Sequence, residues 1–443
     1  MRKFTFRGGA HPPENKHPTE ASPIETPPLP SHVAIPLHQH IGAPSKPIVE
    51  PGDRVKTGTV IGEPKGFVSS AVHASITGVV IEITPWPHPA MPQLVPCVII
   101  EGDGSDDWDN SMKSYKDWST LEPGTIQNIV KDAGIVGLGG AAFPTHVKLS
   151  PPPEKPIDTL ILNGAECEPF LTADHRIMLE RAPDIIEAGK IIRHTLRCQR
   201  CIIAIEDNKP DAIKLLSDLC ANEDNMEVAP LKTKYPQGAE HQIIMAILKR
   251  EVPSGGLPLD IGVVVQNVGT ACAIYDALVE GCPLVERIVS VGGPKVAKPR
   301  NLKVRIGTSF GELIAYCEGK IEEGDKLLNG GPMMGIAQYT EDVPVVKGTS
   351  GILLFPAERV DTQPPQSCIR CARCVDACPM GLVPADMARL IELKFIDRAE
   401  QMGVLDCKEC GTCSYVCPSK IDHVHLFKYA KSEIFAKRRK KSA

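Results

Sequence analysis

With 443 residues, 42% of them hydrophobic and 23% charged, the chain is excluded from wholesale disorder. A formal net charge of −5 gives no electrostatic footprint for nucleic acid, so no nucleic-acid partner is expected. The longest apolar runs, such as Ile261 to Val265 and Ile352 to Phe355, fall far short of the roughly 18 residues that a membrane-spanning helix needs.

In chain order, Met1 to Ala10 is polar and Gly-rich, without the apolar segment of a secretory signal, so a cytoplasmic chain is expected. Residues 1–32 are rich in Pro and His and read as an irregular arm. Short β-like pieces follow, among them Pro47-Ile48-Val49, Thr59-Val60-Ile61 and Gly78 to Ile83, and their even punctuation by Gly and Pro predicts a small all-β domain over 33–118. Over 119–283 the strand-like runs Thr159 to Leu162, Cys201 to Ile205 and Ile261 to Val265 alternate with the helix-like segments Arg181 to Cys198, Asp211 to Asn222 and Glu240 to Arg250. Such alternation implies βαβ units and a largely parallel sheet. Residues 284–360 return to short strands, with one helical patch at Ser309 to Glu318. A Pro-rich linker, Thr362 to Gln366, leads into a cysteine-dense module over 361–430, and a basic tail closes the chain at 431–443. The ordinary reading of Lys437 to Lys441 is a solvated end; the sharper one is contact with anionic lipid or an acidic partner.

Sixteen cysteines in a long chain of a reducing compartment point to metal ligation. Cys368-x2-Cys371-x2-Cys374-x3-Cys378-Pro379 is repeated as Cys407-x2-Cys410-x2-Cys413-x3-Cys417-Pro418. In two-cluster ferredoxins with this spacing, three cysteines wrap one cubane and the fourth ligates the other. Cys368, Cys371, Cys374 and Cys417 are therefore assigned to one [4Fe–4S] cluster, and Cys407, Cys410, Cys413 and Cys378 to the second. Structural zinc is the competing reading of paired C-x2-C, and the duplicated run with both prolines favours iron–sulfur. Between the runs, Met387, Leu390, Ile391 and Phe395 predict a helical spacer with these residues in its core. The pair Cys198-x2-Cys201 has no second pair nearby and reads as buried free thiols.

Gly134 to Thr145 is glycine-dense and precedes Lys148, a composition that admits close backbone approach to an anionic group. Its spacing matches neither G-x-G-x-x-G nor a Walker loop, so a structural glycine turn stays open. The predicted strands end in Asn163-Gly164-Ala165-Glu166-Cys167-Glu168-Pro169 and in Gln266-Asn267-Val268-Gly269-Thr270, where open α/β sheets bind ligands, and together these loops favour a nucleotide or a flavin.

At these residues the chain resembles a known family. Gly137 to Thr145 is similar to the flavin loop of the NADH-binding flavoprotein subunit of respiratory complex I, and Asn163 to Pro169 resembles its Asn-Ala-Asp-Glu-Ser-Glu-Pro loop. Tyr235 to Glu240 and Gln266 to Thr270 resemble two further loops of that site. With the N-terminal β domain and the eight-cysteine end, nearly the whole chain is similar to the C component of the Rnf (Rsx) ion-translocating electron transport complexes. The resemblance implies an FMN site at Gly137, Gly139, Gly140, Lys148, Asn163, Glu166, Gln266, Asn267 and Thr270. It places NAD(H), as substrate, near Phe143, Glu168 and Glu240, with Gly238 among the cofactor-binding positions, Phe143 as the stacking ring and Glu168 as the catalytic residue. The chain departs from the complex I pattern at Leu138, where Arg is usual, at Ala142 in place of Gly, at Gly164-Ala165 in place of Ala-Asp, and at Ala239 in place of the first Glu after Gly238. Val33 to Ile83 resembles the lipoyl/biotinyl barrel-sandwich fold without a modifiable lysine at its tip turn, Ala74 to Thr77, and is expected to dock or brace. Residues 285–340 resemble a soluble-ligand-binding β-grasp domain, expected to be structural.

The expected fold is thus multidomain α/β and β. A barrel-sandwich-like β domain is followed by a complex I flavoprotein-like α/β domain with a parallel sheet, a β-grasp domain and a two-cluster ferredoxin-like helical domain. The resemblance implies an NAD-linked flavin/iron–sulfur oxidoreductase subunit, peripheral on the cytoplasmic face of the inner or plasma membrane. Electrons would pass between NAD(H), FMN and the two [4Fe–4S] clusters in ferredoxin:NAD+ oxidoreduction. Ion transport would rest with the membrane subunits of the Rnf complex, and a ferredoxin-binding subunit would be a further partner. Two other readings are an electron-relay adaptor without nicotinamide chemistry and the flavin subunit of a soluble NAD-linked hydrogenase or formate dehydrogenase.

Overall fold

The computed structural model describes residues 3–442; Met1, Arg2 and Ala443, and the side chains of Lys441 and Ser442, lie outside the described residues. The first domain holds β1 (His32–Pro36), β2 (Lys46–Pro47), β3 (Arg54–Val55), β4 (Val60–Glu63), β5 (Val72–His73), β6 (Gly78–His88) and β7 (Met91–Gly102). They form two antiparallel sheets, ordered β1-β7-β6-β3 and β2-β4-β5, closed over Val33, Ile35, Ile61, Val72 and Ile100. The tip turn, Ala74 to Thr77, is buried, and Ser75 Oγ donates to the Ile306 carbonyl at 2.5 Å. The end that carries a lysine in lipoyl domains is here plugged into the rest of the protein.

Next come α1 (Pro123–Asp132), α2 (Thr145–Lys148), β8 (Thr159–Gly164), α3 (Ala173–Glu180), α4 (Ala182–Leu196) and β9 (Arg200–Glu206). The same domain continues through α5 (Pro210–Cys220), β10 (Met226–Leu231), α6 (Glu240–Leu248), β11 (Val263–Asn267) and α7 (Val268–Tyr275). The sheet is wholly parallel, in the order β10-β9-β8-β11. Its strands read as unbroken apolar runs because both faces are covered, by Leu160, Leu162, Ile203 and Ile205 on one side and Ile161, Ala204, Val263 and Val265 on the other. From β8 the chain steps outward to β9 and β10, then returns to lay β11 on the other flank of β8. That reversal leaves a crevice at the carboxyl ends of β8 and β11.

The β-grasp domain comprises β12 (Glu286–Gly292), β13 (Arg300–Arg305), α8 (Phe310–Tyr316), β14 (Lys326–Asn329), β15 (Ile336–Gln338) and β16 (Gly351–Phe355), in a mixed sheet ordered β13-β12-β16-β14-β15. Ser309 caps α8, its Oγ accepting from Glu312 N at 3.2 Å. The last domain is helical: α9 (Arg373–Ala377), α10 (Pro384–Glu392), α11 (Ile396–Gln401), α12 (Thr412–Tyr415) and α13 (His423–Ser442), packed on Met387, Ile391, Phe427 and Ile434.

Three expectations need correction. The predicted spacer is two helices broken at Lys394, which sits at φ 63°, and the break turns Phe395 out of the core to 49% exposure. The basic end read as a tail apart from the cysteine module stays exposed, as expected, but continues α13, where Lys437 and Arg438 pair with Asp397 and Glu400 of α11, each at 2.6 Å. The arm is irregular but not peripheral. It pairs Phe4 beside Leu231 and Ala10 beside Tyr235, and it buries Phe6, Lys16 and Thr19.

Candidate functional site

Register fixes the crevice: Asn163, near the end of β8, lies opposite Asn267, the last residue of β11. Asn267 caps α7, its Oδ1 accepting from Gly269 N at 2.8 Å and Thr270 N at 3.2 Å, while its Nδ2 donates to Asp174 at 2.7 Å. The Asn163 side chain accepts from Ala165 N at 3.0 Å and donates to the Gly238 carbonyl at 2.9 Å. Glu166 accepts from Asp174 N at 2.9 Å at the start of α3, and Thr270 Oγ1 accepts from Leu138 N at 2.8 Å. These four residues, expected to contact ligand, also hold the loops in place. Their side chains form the frame of the site.

What the frame leaves free is a set of donors. Gly139, Gly140 and Ala141 are exposed, and none of their amides meets an acceptor among the described residues. Gly139 must be glycine, since a Cβ there would stand 2.7 Å from Asn267 Nδ2. Gly137 donates its own amide to the Phe143 carbonyl at 2.9 Å, closing the loop. Gln266 is buried with its Nε2 unpartnered, and Gln237 is fully buried with neither amide atom paired. Lys148 and Glu240, expected at flavin and nicotinamide respectively, meet in a half-exposed ion pair at 2.8 Å. Orphaned buried amides beside a row of free backbone N–H groups fit a polar, anionic ligand such as FMN.

Glu168, expected at the nicotinamide, reaches the β-grasp domain. Both its carboxylate oxygens accept backbone amides of the β-grasp domain, from Met333 at 3.0 Å and Met334 at 2.9 Å. Burial pushes its carboxyl up to about 7 despite those donors. A group so committed fastens two domains, with one amide on each carboxylate oxygen. Two further residues were invisible to pattern reading. Lys16, reaching in from the arm, donates to the carbonyls of Glu166, Glu168 and Leu171 at 2.8, 2.9 and 2.5 Å. Arg287 of β12 donates to the Leu138 and Lys347 carbonyls at 2.7 and 2.5 Å. Neither carries a local sequence signal, because each contact spans about 60 to 155 residues.

The cysteine runs repeat one geometry. Arg370 N donates to Cys368 Sγ and Glu409 N to Cys407 Sγ, both at 3.4 Å, with Arg370 and Glu409 at φ 54° and 55° and Ala372 and Gly411 left-handed in turn. Cys378, Cys407, Cys410 and Cys413 line one cavity with Met387 and Phe427, while Cys374 faces Cys368 and Cys417. Among the described residues no three His, Cys, Asp or Glu donors converge on a site for one ion. A cavity lined by four thiols of this duplicated spacing fits a [4Fe–4S] cubane. The Cys378 set lies against the α/β domain, where Tyr235 Oη donates to the Cys410 carbonyl at 2.7 Å, and against the N-terminal arm, where Gly9 N donates to the Ala377 carbonyl at 2.9 Å. By contrast, Cys368 and Cys371 are exposed. The remaining thiols, Cys198 and Cys201 included, are free.

Four family models match in chain order: the RnfC barrel sandwich hybrid domain over residues 4–105, the Nuo51 FMN-binding domain over 130–276, the SLBB domain over 288–337 and the 4Fe-4S dicluster domain over 361–418. The C component of a proton-translocating ferredoxin:NAD(+) oxidoreductase complex of Clostridium ljungdahlii is 46% identical, over 97% of this chain and 94% of its own. The Na(+)-translocating counterpart of Acetobacterium woodii is 46% identical over 99% of each. The C component of an ion-translocating oxidoreductase complex of Rhodobacter capsulatus is 40% identical, over 100% of this chain and 85% of its own.

Proposed function

This chain belongs to the family of the C component of the ion-translocating ferredoxin:NAD+ oxidoreductase (Rnf) complexes, and from that premise we propose how its residues serve electron transfer. It is an electron-transfer subunit with an FMN-binding domain and a 4Fe-4S dicluster domain. We assign FMN to the crevice of β8 and β11. The amides of Gly139 and Gly140, with Lys148 and the buried amide of Gln266, are the donors. Gly137, Asn163, Glu166, Asn267 and Thr270 keep those donors in place. Nicotinamide is assigned to the half-exposed side bounded by Phe143, Gly238 and Glu240, with Glu168 holding the wall behind it. The eight cysteines are assigned to two cubanes in the crossed pattern. When bound, these groups supply hydride exchange at the flavin and single-electron exchange at the clusters. The chain's part is to bind, orient and space them.

No helix among the described residues is long and apolar enough to cross a membrane. We assign ion movement to membrane partners, and place the protein on the cytoplasmic face with a ferredoxin-binding subunit as neighbour. The domain limits read from the sequence, 33–118, 119–283, 284–360 and 361–430, are part of the same proposal.

The observation that carries this reading is the row of unpaired amides at Gly139 to Ala141, above a sheet whose adjoining loop is hydrogen-bonded to a cluster-ligand residue through Tyr235 and Cys410. The test is the full chain reconstituted with FMN, iron and sulfide. Flavin uptake, two clusters by low-temperature EPR and cluster reduction by NADH are expected. Flavin-loaded protein that leaves NADH unoxidised with every acceptor hands the function to the relay-adaptor reading.

A further inference from the structure

The β-grasp domain does more than brace. Leu138 is gripped at both ends of its backbone: its N–H donates to Thr270 Oγ1 at 2.8 Å, and its carbonyl accepts from Arg287 Nη2 at 2.7 Å. In a planar trans peptide the C=O of one residue and the N–H of the next point in opposite directions. Holding the Leu138 carbonyl toward Arg287 therefore aims the Gly139 amide away from the β-grasp domain. On that side Gly139 and its two successors are exposed, with no acceptor for their amides among the described residues. The other Arg287 nitrogen, Nη1, holds the Lys347 carbonyl at 2.5 Å, so the guanidinium is fixed from both sides.

Arg287 is also a buried cation whose hydrogen bonds among the described residues go to carbonyls; Asp174, itself hydrogen-bonded to Asn267, is the acid that acts on it. A buried positive charge offset only by a neighbouring acid is costly, and a negatively charged group bound on the crevice side lowers that cost.

We propose that Arg287, supplied by the β-grasp domain, is a positioning residue for the flavin: it sets the Gly139 amide as a donor and biases the crevice toward an anionic group such as the FMN phosphate. This rests on the assignment of FMN to the crevice.

The experiment titrates FMN into deflavinated full-length protein, following flavin fluorescence, with the EPR of the two clusters as a check on folding. R287M is expected to bind FMN about tenfold or more weakly, the scale of one lost charge-assisted hydrogen bond. R287K, which keeps the charge but serves one carbonyl instead of two, is expected to fall between. S290A loosens the same two domains from the same strand, by removing the acceptor of Thr172 N and Ala173 N and a donor to Asn301, without touching Leu138. It is expected to bind within about threefold of wild type. Wild-type affinity in a folded R287M overturns the proposal, and so does an equal loss in S290A, which makes the effect general loosening. Should R287M not fold, wild-type affinity in R287K overturns it. A wild-type protein that takes up no FMN sinks the functional reading itself, a result distinct from all of these.

Discussion

The phenolic hydroxyl of Tyr235 donates to the carbonyl of Cys410 at 2.7 Å, joining the loop before α6 to a proposed cluster ligand 175 residues later. Tyr235 is 1% exposed, so Y235F strands a buried carbonyl that water cannot reach. A loss of about 1–2 kcal/mol is expected, and hydrogen bonding around a cluster also tunes its potential. In an EPR-monitored redox titration of Y235F, the Cys407-nucleated cluster should shift and the Cys368-nucleated one should not. A shift confined to the latter would contradict the placement.

The crossed ligation makes a sharper demand on Cys378. It lies in sequence with the first run but lines its cavity with Cys407, Cys410 and Cys413. Cys378→Ala should remove or degrade the second cluster, with iron content falling toward one cubane and the signal of the Cys368 set preserved. Damage confined to the Cys368 set would mean that each run serves its own cubane, and equal damage to both would overturn the crossed assignment as well.

Most of the scaffold could be read from the residues alone. Thr159 to Leu162, Cys201 to Ile205 and Ile261 to Val265 announce buried parallel strands because apolar side chains stand at successive positions; the first two lie in the four-stranded sheet, and of the third Val263 to Val265 do, Ile261 and Gly262 belonging to the turn before it. The glycine loop and the strand-end amides were legible as a site for the same local reason. What pattern reading missed is long-range. Nothing near Arg287 announces a partner at Leu138, 149 residues earlier, and nothing in the Pro- and His-rich arm marks Lys16 as a buried clamp. Nor could the sequence show that Asn267 and Glu166 spend their polar atoms on helix starts, since a capping side chain and a ligand contact call for the same residue types. Phe395 continued the helical period on paper; one left-handed residue before it changed its face.

Glu168 gives the junction with the β-grasp domain a pH dependence. Burial lifts its carboxyl from the ordinary 4.5 to about 7, so between those values the folded protein holds a proton that the unfolded chain has lost. The slope of unfolding free energy with pH follows bound protons in the unfolded minus the folded state, and here that difference is negative. Stability from this group is therefore full below about pH 4.5, declines as pH rises to about 7 and is level above. E168Q carries no proton and should lack that part of the slope, measured as denaturation midpoints from pH 5 to 8. Parallel profiles for the two proteins would remove Glu168 from the account.

Lys16 is the residue whose loss should spread furthest. Its ammonium is 5% exposed and serves three carbonyls of the segment from Glu166 to Leu171, while Phe170 N donates back to the Glu14 carbonyl at 2.8 Å. K16M fills the same volume but leaves three buried acceptors unmatched, for an expected loss of about 3 kcal/mol. The loosening should be local before it is global: amide hydrogen exchange over residues 166–171 should quicken, while exchange in the buried strand β9 stays slow. Lysine and arginine differ in shape, and a planar fork cannot reach three carbonyls converging on one nitrogen, so K16R should recover only part of the loss. An unchanged denaturation midpoint in K16M would show that the arm lies on the acidic loop without holding it.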